Sequence, residues 1–167
     1  MSIFTMPSLL SWWKIVIYLF INFREKAKQI LTVLIAKAHE KTSEKYKKLW
    51  DTLKLLESEK EKANDLFKKN DYDGAILLYT KILEIDTNNK SYISTILCNR
   101  ALCYQKKNKL FDAMTDINKS ISLNENYWKA FYRRATLNIA LKNPNKARDD
   151  LQKVLALDPS MIIFNFR

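Results

Sequence analysis

The sequence predicts an all-α protein, a right-handed superhelical solenoid of three helix-turn-helix repeats with an N-terminal helical extension. Three observations predict it. One glycine and three prolines in 167 residues argue against β-hairpins and long irregular loops, and for helix nearly throughout. From Glu57 to Pro159 one pattern is written three times, with a small residue in each first helix (Ala63, Ala101, Ala135) and another twelve positions later in each second helix (Ala75, Ala113, Ala147). The period is 34 residues between the second and third copies and 38 between the first and second, the same period with four residues inserted near Lys90–Ile93. A side chain that ends at Cβ lets two helix axes approach closely while larger neighbours fill the space beside it. Stacked hairpins then bury a continuous core that none could bury alone.

Residues 1–23 form an apolar segment and a candidate membrane anchor. Ile3–Phe23 holds no acid and one base, Lys14. Its length suits a span. Lys14 at its middle costs about 2.5–3.5 kcal/mol on insertion scales, against about −3 to −7 kcal/mol from roughly eleven Leu, Ile, Val and Phe residues. The balance is marginal. Trp12, Trp13 and Tyr18 equally suit a helix lying in the membrane surface, and an apolar helix packing on the repeats or on a partner is a further reading. A cleaved secretory signal is disfavoured, because no basic region precedes the apolar run and no small-residue cleavage site follows it. If the segment spans, Arg24, Lys26 and Lys28 would hold the remaining chain in the cytosol. The expected location is therefore cytoplasmic, free or tethered to the cytosolic face of a membrane.

Residues 24–56 read as a charged helical extension. Ile30, Leu31, Leu34, Ile35 and Ala38 make one apolar stripe, and Tyr46, Leu49, Trp50, Leu53 and Leu56 another, at three- and four-residue spacing. The only histidine, His39, stands in Ala38-His39-Glu40 with no relay or metal partner beside it and reads as a surface residue. The repeats occupy residues 57–160, at about 57–89, 94–127 and 128–160. First helices are expected near Glu57–Lys69, Tyr92–Lys106 and Asn126–Leu141, and second helices near Tyr72–Ile85, Leu110–Leu123 and Asn145–Leu157. Turns fall at Asn70-Asp71, Lys107-Asn108-Lys109 and Asn143-Pro144-Asn145, where Pro144 suits a helix start because its missing N–H costs little there. Residues 161–167 are a short tail with an apolar Met161-Ile162-Ile163-Phe164.

The formal charge of +11 admits nucleic acid, an anionic membrane surface or an acidic protein segment as partner. Nucleic acid is disfavoured, because the bases are spread along the chain without a recognised module or a basic run with interleaved aromatics. Cys98 and Cys103, five apart on one predicted helix, have neither CxxC nor metal spacing and read as buried or half-buried free thiols. No paired carboxylates, Ser/His/Asp set, phosphate loop or metal spacing is found, so a non-enzymatic role without cofactor is expected.

In stacked hairpins the first helices line the inner surface, and their polar residues show what it binds. Lys60 and Asn64 share a face of the first such helix, Asn99 stands on the second, and Lys129 and Arg133 share a face of the third. All five are hydrogen-bond donors, with no carboxylate expected at the same register, and such a cluster suits an anion. Two amides among three cations favour a small planar anion such as a carboxylate over a long phosphate backbone.

A 34-residue helix-turn-helix with small residues at the crossings is the mark of tetratricopeptide repeats. Lys60-Glu61-Lys62-Ala63-Asn64, Cys98-Asn99-Arg100-Ala101 and Trp128-Lys129-Ala130-Phe131-Tyr132-Arg133-Arg134-Ala135 resemble the carboxylate-clamp repeats of tetratricopeptide co-chaperones. The likeness is nearest to J-domain-linked and chaperone-organising members and includes the four residues inserted before Asn99. It implies capture of the Glu-Glu-Val-Asp carboxyl terminus of the seventy- and ninety-kilodalton heat-shock chaperones. Lys60, Asn64 and Asn99 would hold the terminal main-chain carboxylate, Lys129 the terminal Asp side chain, and Arg133 the peptide further along. The alternative implied by residues 1–23 is a membrane-anchored receptor of the same family. Two departures stand out: Ala63 replaces the usual glycine before the clamp asparagine, and no His-Pro-Asp signature of a J domain exists.

Overall fold

The computed structural model describes residues 40–160 apart from Thr87, together with Gln29, Thr32 and Val33. The apolar segment 1–23, the stripe from Ile30 to Ala38, His39 and the tail 161–167 lie outside the described residues. Six helices cover residues 40–160: α1 (Glu40–Lys68), α2 (Tyr72–Ile85), α3 (Lys90–Lys106), α4 (Leu110–Leu123), α5 (Trp128–Ala140) and α6 (Pro144–Leu157). Among the described residues no helix is long and apolar enough to cross a membrane. The chain divides into two compact units, 1–55 and 56–167.

Within the first unit the Leu49, Trp50 and Leu53 stripe forms a small apolar cluster, and the Lys54 ammonium sits 5.2 Å from the centre of the Trp50 ring. Helix α1 starts at Glu40 and runs 29 residues, where a separate first-repeat helix from Glu57 was expected. No proline or glycine interrupts Glu40–Lys68, so nothing in the backbone stops the helix before the repeat begins.

The second unit contains three stacked hairpins: α1 from Leu56 onward with α2, α3 with α4, and α5 with α6. All six repeated alanines are buried, none more than 3% exposed. Leu56, Ala63, Ala75, Tyr79, Ile82, Tyr92, Ile96 and Cys103 form one core cluster, and Cys98, Ala101, Ala113, Ile117, Ala130 and Leu137 the next. Both cysteines are free and buried, as the sequence predicts. The four inserted residues appear as one additional turn at the start of α3, which has 17 residues against 13 in α5. Asn89 caps that turn by accepting from the Tyr92 N–H, as Asp71 caps α2 by accepting from the Gly74 N–H.

Each hairpin turn closes in the same way. Asn70, Asn108 and Lys142 occupy the same register and all have φ near +60°. The N–H of each bonds back to the carbonyl of Phe67, Gln105 or Ile139, and the next residue's N–H bonds to that of Leu66, Tyr104 or Asn138. This is a Schellman closure, which wants glycine or asparagine at the left-handed position. The third turn thus pivots on Lys142, one residue before the expected Asn143. A non-glycine residue pays a steric cost there, so Lys142→Gly is expected to raise stability by about 1 kcal/mol. Urea unfolding checks it; a lower midpoint would mean that the Lys142 side chain stabilises the turn.

A repeated ion pair fastens the second and third hairpins. Arg100 grips Asp116 through Nε and Nη2, both at 2.8 Å, and its Nη1 donates to Thr80 of the preceding hairpin at 2.8 Å. Arg134 repeats this with Asp150, at 2.7 Å from Nη2, and donates to Asn118 at 3.0 Å. Each arginine therefore joins its own second helix to the one before. In the first repeat the same register holds Lys62 and Leu78, so this pair cannot form. Buried Glu59 takes both Lys62 (2.9 Å) and Lys81 (3.1 Å) instead, and their hydrogen bonds hold its carboxyl below the usual range.

Candidate functional site

The five predicted side chains all project from first helices: Lys60 and Asn64 from α1, Asn99 from α3, Lys129 and Arg133 from α5. Lys129 is exposed and the other four are half-buried. The structure joins two of them directly. Arg133 Nη1 lies 3.5 Å from Asn99 Oδ1 and also donates to the Cys98 carbonyl. Asn64 is held from the second helix of its hairpin, its Oδ1 accepting from the Tyr79 hydroxyl at 2.6 Å. With both amide oxygens facing protein donors, what remains for a ligand at Asn64 and Asn99 is the N–H₂ end of each.

The two lysines rest on aromatic rings. Lys60 Nζ is 5.5 Å from the centre of the Tyr92 ring, and Lys129 Nζ is 5.5 Å from that of Trp128. Tyr92 is itself fixed by donating its hydroxyl to the Leu56 carbonyl at 3.2 Å, across 36 residues. It belongs to the inserted turn, so the insertion supplies the ring against which Lys60 lies.

One expectation fails here. Lys60 has a carboxylate in its own register, Glu57, with a closest N–O distance of 3.3 Å. The two are three residues apart on one helix face, where opposite charges meet. A ligand carboxylate would therefore have to draw Lys60 from a partly exposed pair, which is a small cost. Lys129, by contrast, has no carboxylate partner among the described residues.

Arg133 supplies positive potential to the floor of this region. Burial pushes the Tyr79 hydroxyl up to about 12, and Arg133 opposes that shift. The Tyr127 hydroxyl is likewise pushed up to about 12 by burial, again against Arg133. Burial raises the Cys98 thiol, with Arg133 and then Lys129 among the groups that pull it back. Cys103 rises to about 11 by burial, opposed by Arg133. At neutral pH these phenols and thiols are uncharged, so the floor carries neutral donors beneath fixed cations. Cations over neutral hydrogen-bond donors suit an anion.

Three side chains of this region escape sequence reasoning. Tyr79 stands at the register of Ile117 and Leu151 in the other copies, and its hydroxyl is the only polar group among the three. Tyr92 was marked only by lying in the insertion. Tyr127 precedes α5 and gave no signal.

Stacked hairpins that cross at buried alanines, with amides and cations on the first helices, define a helical-repeat binding scaffold. The tetratricopeptide repeat profile matches residues 94–127 and 129–161. RNA polymerase II-associated protein 3 of Xenopus laevis is 43% identical over 108 residues, 65% of this chain and 16% of that protein. The chain thus spans about a sixth of that relative. A solved structure of the first TPR of Spaghetti (RPAP3) bound to the HSP90 peptide SRMEEVD is 36% identical, with a TM-score of 0.57, covering 62% of this chain and 79% of that one. The second TPR domain of human RPAP3, in complex with the HSP70 peptide SGPTIEEVD, is 35% identical with a TM-score of 0.57, covering 65% and 87%. The chain belongs to the tetratricopeptide-repeat family.

Proposed function

We propose that this chain is a non-enzymatic docking module that holds the Glu-Glu-Val-Asp carboxyl terminus of the seventy- and ninety-kilodalton heat-shock chaperones. The observation that carries this reading is the turning of both asparagines. Tyr79 faces the oxygen of Asn64 and Arg133 that of Asn99, so two amide donors and Lys129 are left for an acceptor-only ligand, with Lys60 beside them in a weak pair with Glu57. A chain-terminal carboxylate is such a ligand. The two solved relatives bound to peptides ending in EEVD support it by homology. In this reading Lys60, Asn64 and Asn99 take the terminal main-chain carboxylate, Lys129 the Asp side chain, and Arg133 the peptide upstream.

Charge-assisted hydrogen bonds contribute about 1.5–3 kcal/mol each, against the cost of ordering a flexible peptide. A few of them place affinity near the micromolar scale, about −8 kcal/mol. Lys129→Ala is expected to weaken binding of a peptide ending in Glu-Glu-Val-Asp about tenfold while leaving the melting temperature unchanged, because Lys129 is exposed. Fluorescence anisotropy with a labelled peptide reads this directly, and equal affinity of variant and parent would remove Lys129 from the site.

A further inference from the structure

A second recess opens between the first and second repeats, among α2, α3 and α4. It is a cleft of about 350 Å³ whose apolar lining includes Leu83, Ile93, Leu97 and Leu123. None of the five clamp residues lines it. The repeat itself provides the comparison. In the junction between the second and third repeats the same register replaces Ile93 and Leu97 by Tyr127 and Phe131. Two larger, aromatic side chains stand there where this junction has two aliphatic ones.

The rim differs in charge as well. Glu84 and Asp86 border the cleft where the next junction has Ser122 and Asn124. Asp86 is anchored, its Oδ1 accepting from the N–H groups of Asn88 and Asn89 at 3.0 and 3.1 Å. Of the two bases at the cleft, Arg100 is committed to Asp116 and Thr80, leaving Lys119 against two carboxylates. On a chain of net charge +11, an acidic rim around an apolar hollow is a local reversal of sign.

We infer that this cleft is a second docking site, for a linear segment of a partner protein with one aromatic or branched aliphatic side chain flanked by Lys or Arg. The apolar side chain fills the hollow and the flanking base meets Glu84 and Asp86. The volume sits at the lower end of ligand clefts, roughly 300–1,000 Å³, and suits one anchor side chain.

The test is amide chemical-shift mapping on the full chain with acetyl-Arg-Trp-Arg-amide. Saturable shifts are expected around Thr80–Asp86, Ile93, Leu97 and Leu123. They should weaken with acetyl-Glu-Trp-Glu-amide and be lost with acetyl-Arg-Ala-Arg-amide. The Ile93→Tyr/Leu97→Phe variant installs the side chains of the next junction and is expected to abolish the shifts while a Glu-Glu-Val-Asp peptide still binds. Glu84→Lys, on an exposed residue, reverses the rim without touching the core and should weaken binding if the double variant fails to fold. Absence of shifts in the cleft, equal binding of the acidic peptide, shifts that survive both variants, or indole alone acting as strongly as the peptide would each overturn the proposal.

Discussion

Asp116→Ala is expected to destabilise the folded chain by about 3–5 kcal/mol, the cost of stranding one member of a buried ion pair. Asp116 is 5% exposed and receives two N–H groups of Arg100, whose third contact ties Thr80 of the preceding hairpin. Asp116 holds the Arg100 guanidinium above its ordinary pKa, a support the variant removes, yet an arginine stays charged at neutral pH even without it and is left without its counter-charge. The loss would be a large part of the stability of an ordinary domain, about 5–15 kcal/mol. Urea unfolding of parent and variant measures it. Replacing both residues, by Arg100→Met with Asp116→Leu, should recover much of the loss, because the cost lies in the uncompensated charge. A single variant that unfolds at the parent's midpoint would show that the pair does not fasten the second hairpin.

The largest effect on binding is expected from Lys60→Ala, a loss of about 1.5–3 kcal/mol, or roughly ten- to a hundredfold in affinity for a Glu-Glu-Val-Asp peptide. Lys60 is assigned to the terminal carboxylate, where full charge meets full charge. Its present partner, Glu57, is a weak competitor because both side chains are about one-quarter exposed. The fold should tolerate the change. Isothermal titration calorimetry checks the affinity, and unchanged affinity in a folded variant would separate Lys60 from the ligand.

Much of the architecture was legible in the sequence because small residues at helix crossings recur with the period of the hairpin. The limits of α2 and α4 follow from the apolar pattern and the turn residues at Asn70-Asp71 and Asn108-Lys109, and the structure has them at Tyr72–Ile85 and Leu110–Leu123. The start of α1 was not legible, since a charged, glycine-free stretch has no signal separating extension from repeat. The Arg100–Asp116 and Arg134–Asp150 pairs span sixteen residues, a spacing set by how two helices fold against each other and by no single-helix period. That the five candidate polar residues stand on first helices could be read from the sequence, because the repeat pattern places each hairpin's first helix. Their supports could not. Tyr79 reaches Asn64 from a different helix, and Tyr92 reaches Leu56 across the hairpin boundary. The Glu57–Lys60 pair was visible at i,i+3 spacing, and it corrects the expectation that no carboxylate shares the register.

The most direct measurement is calorimetry of the chain with one peptide ending in Glu-Glu-Val-Asp, prepared with a free carboxyl terminus and with a terminal amide. The free acid should bind near the micromolar scale and the amide at least about tenfold more weakly, for want of a charge to meet Lys60 and the two asparagine donors. Equal affinity for the two forms would contradict a site built to hold a chain end.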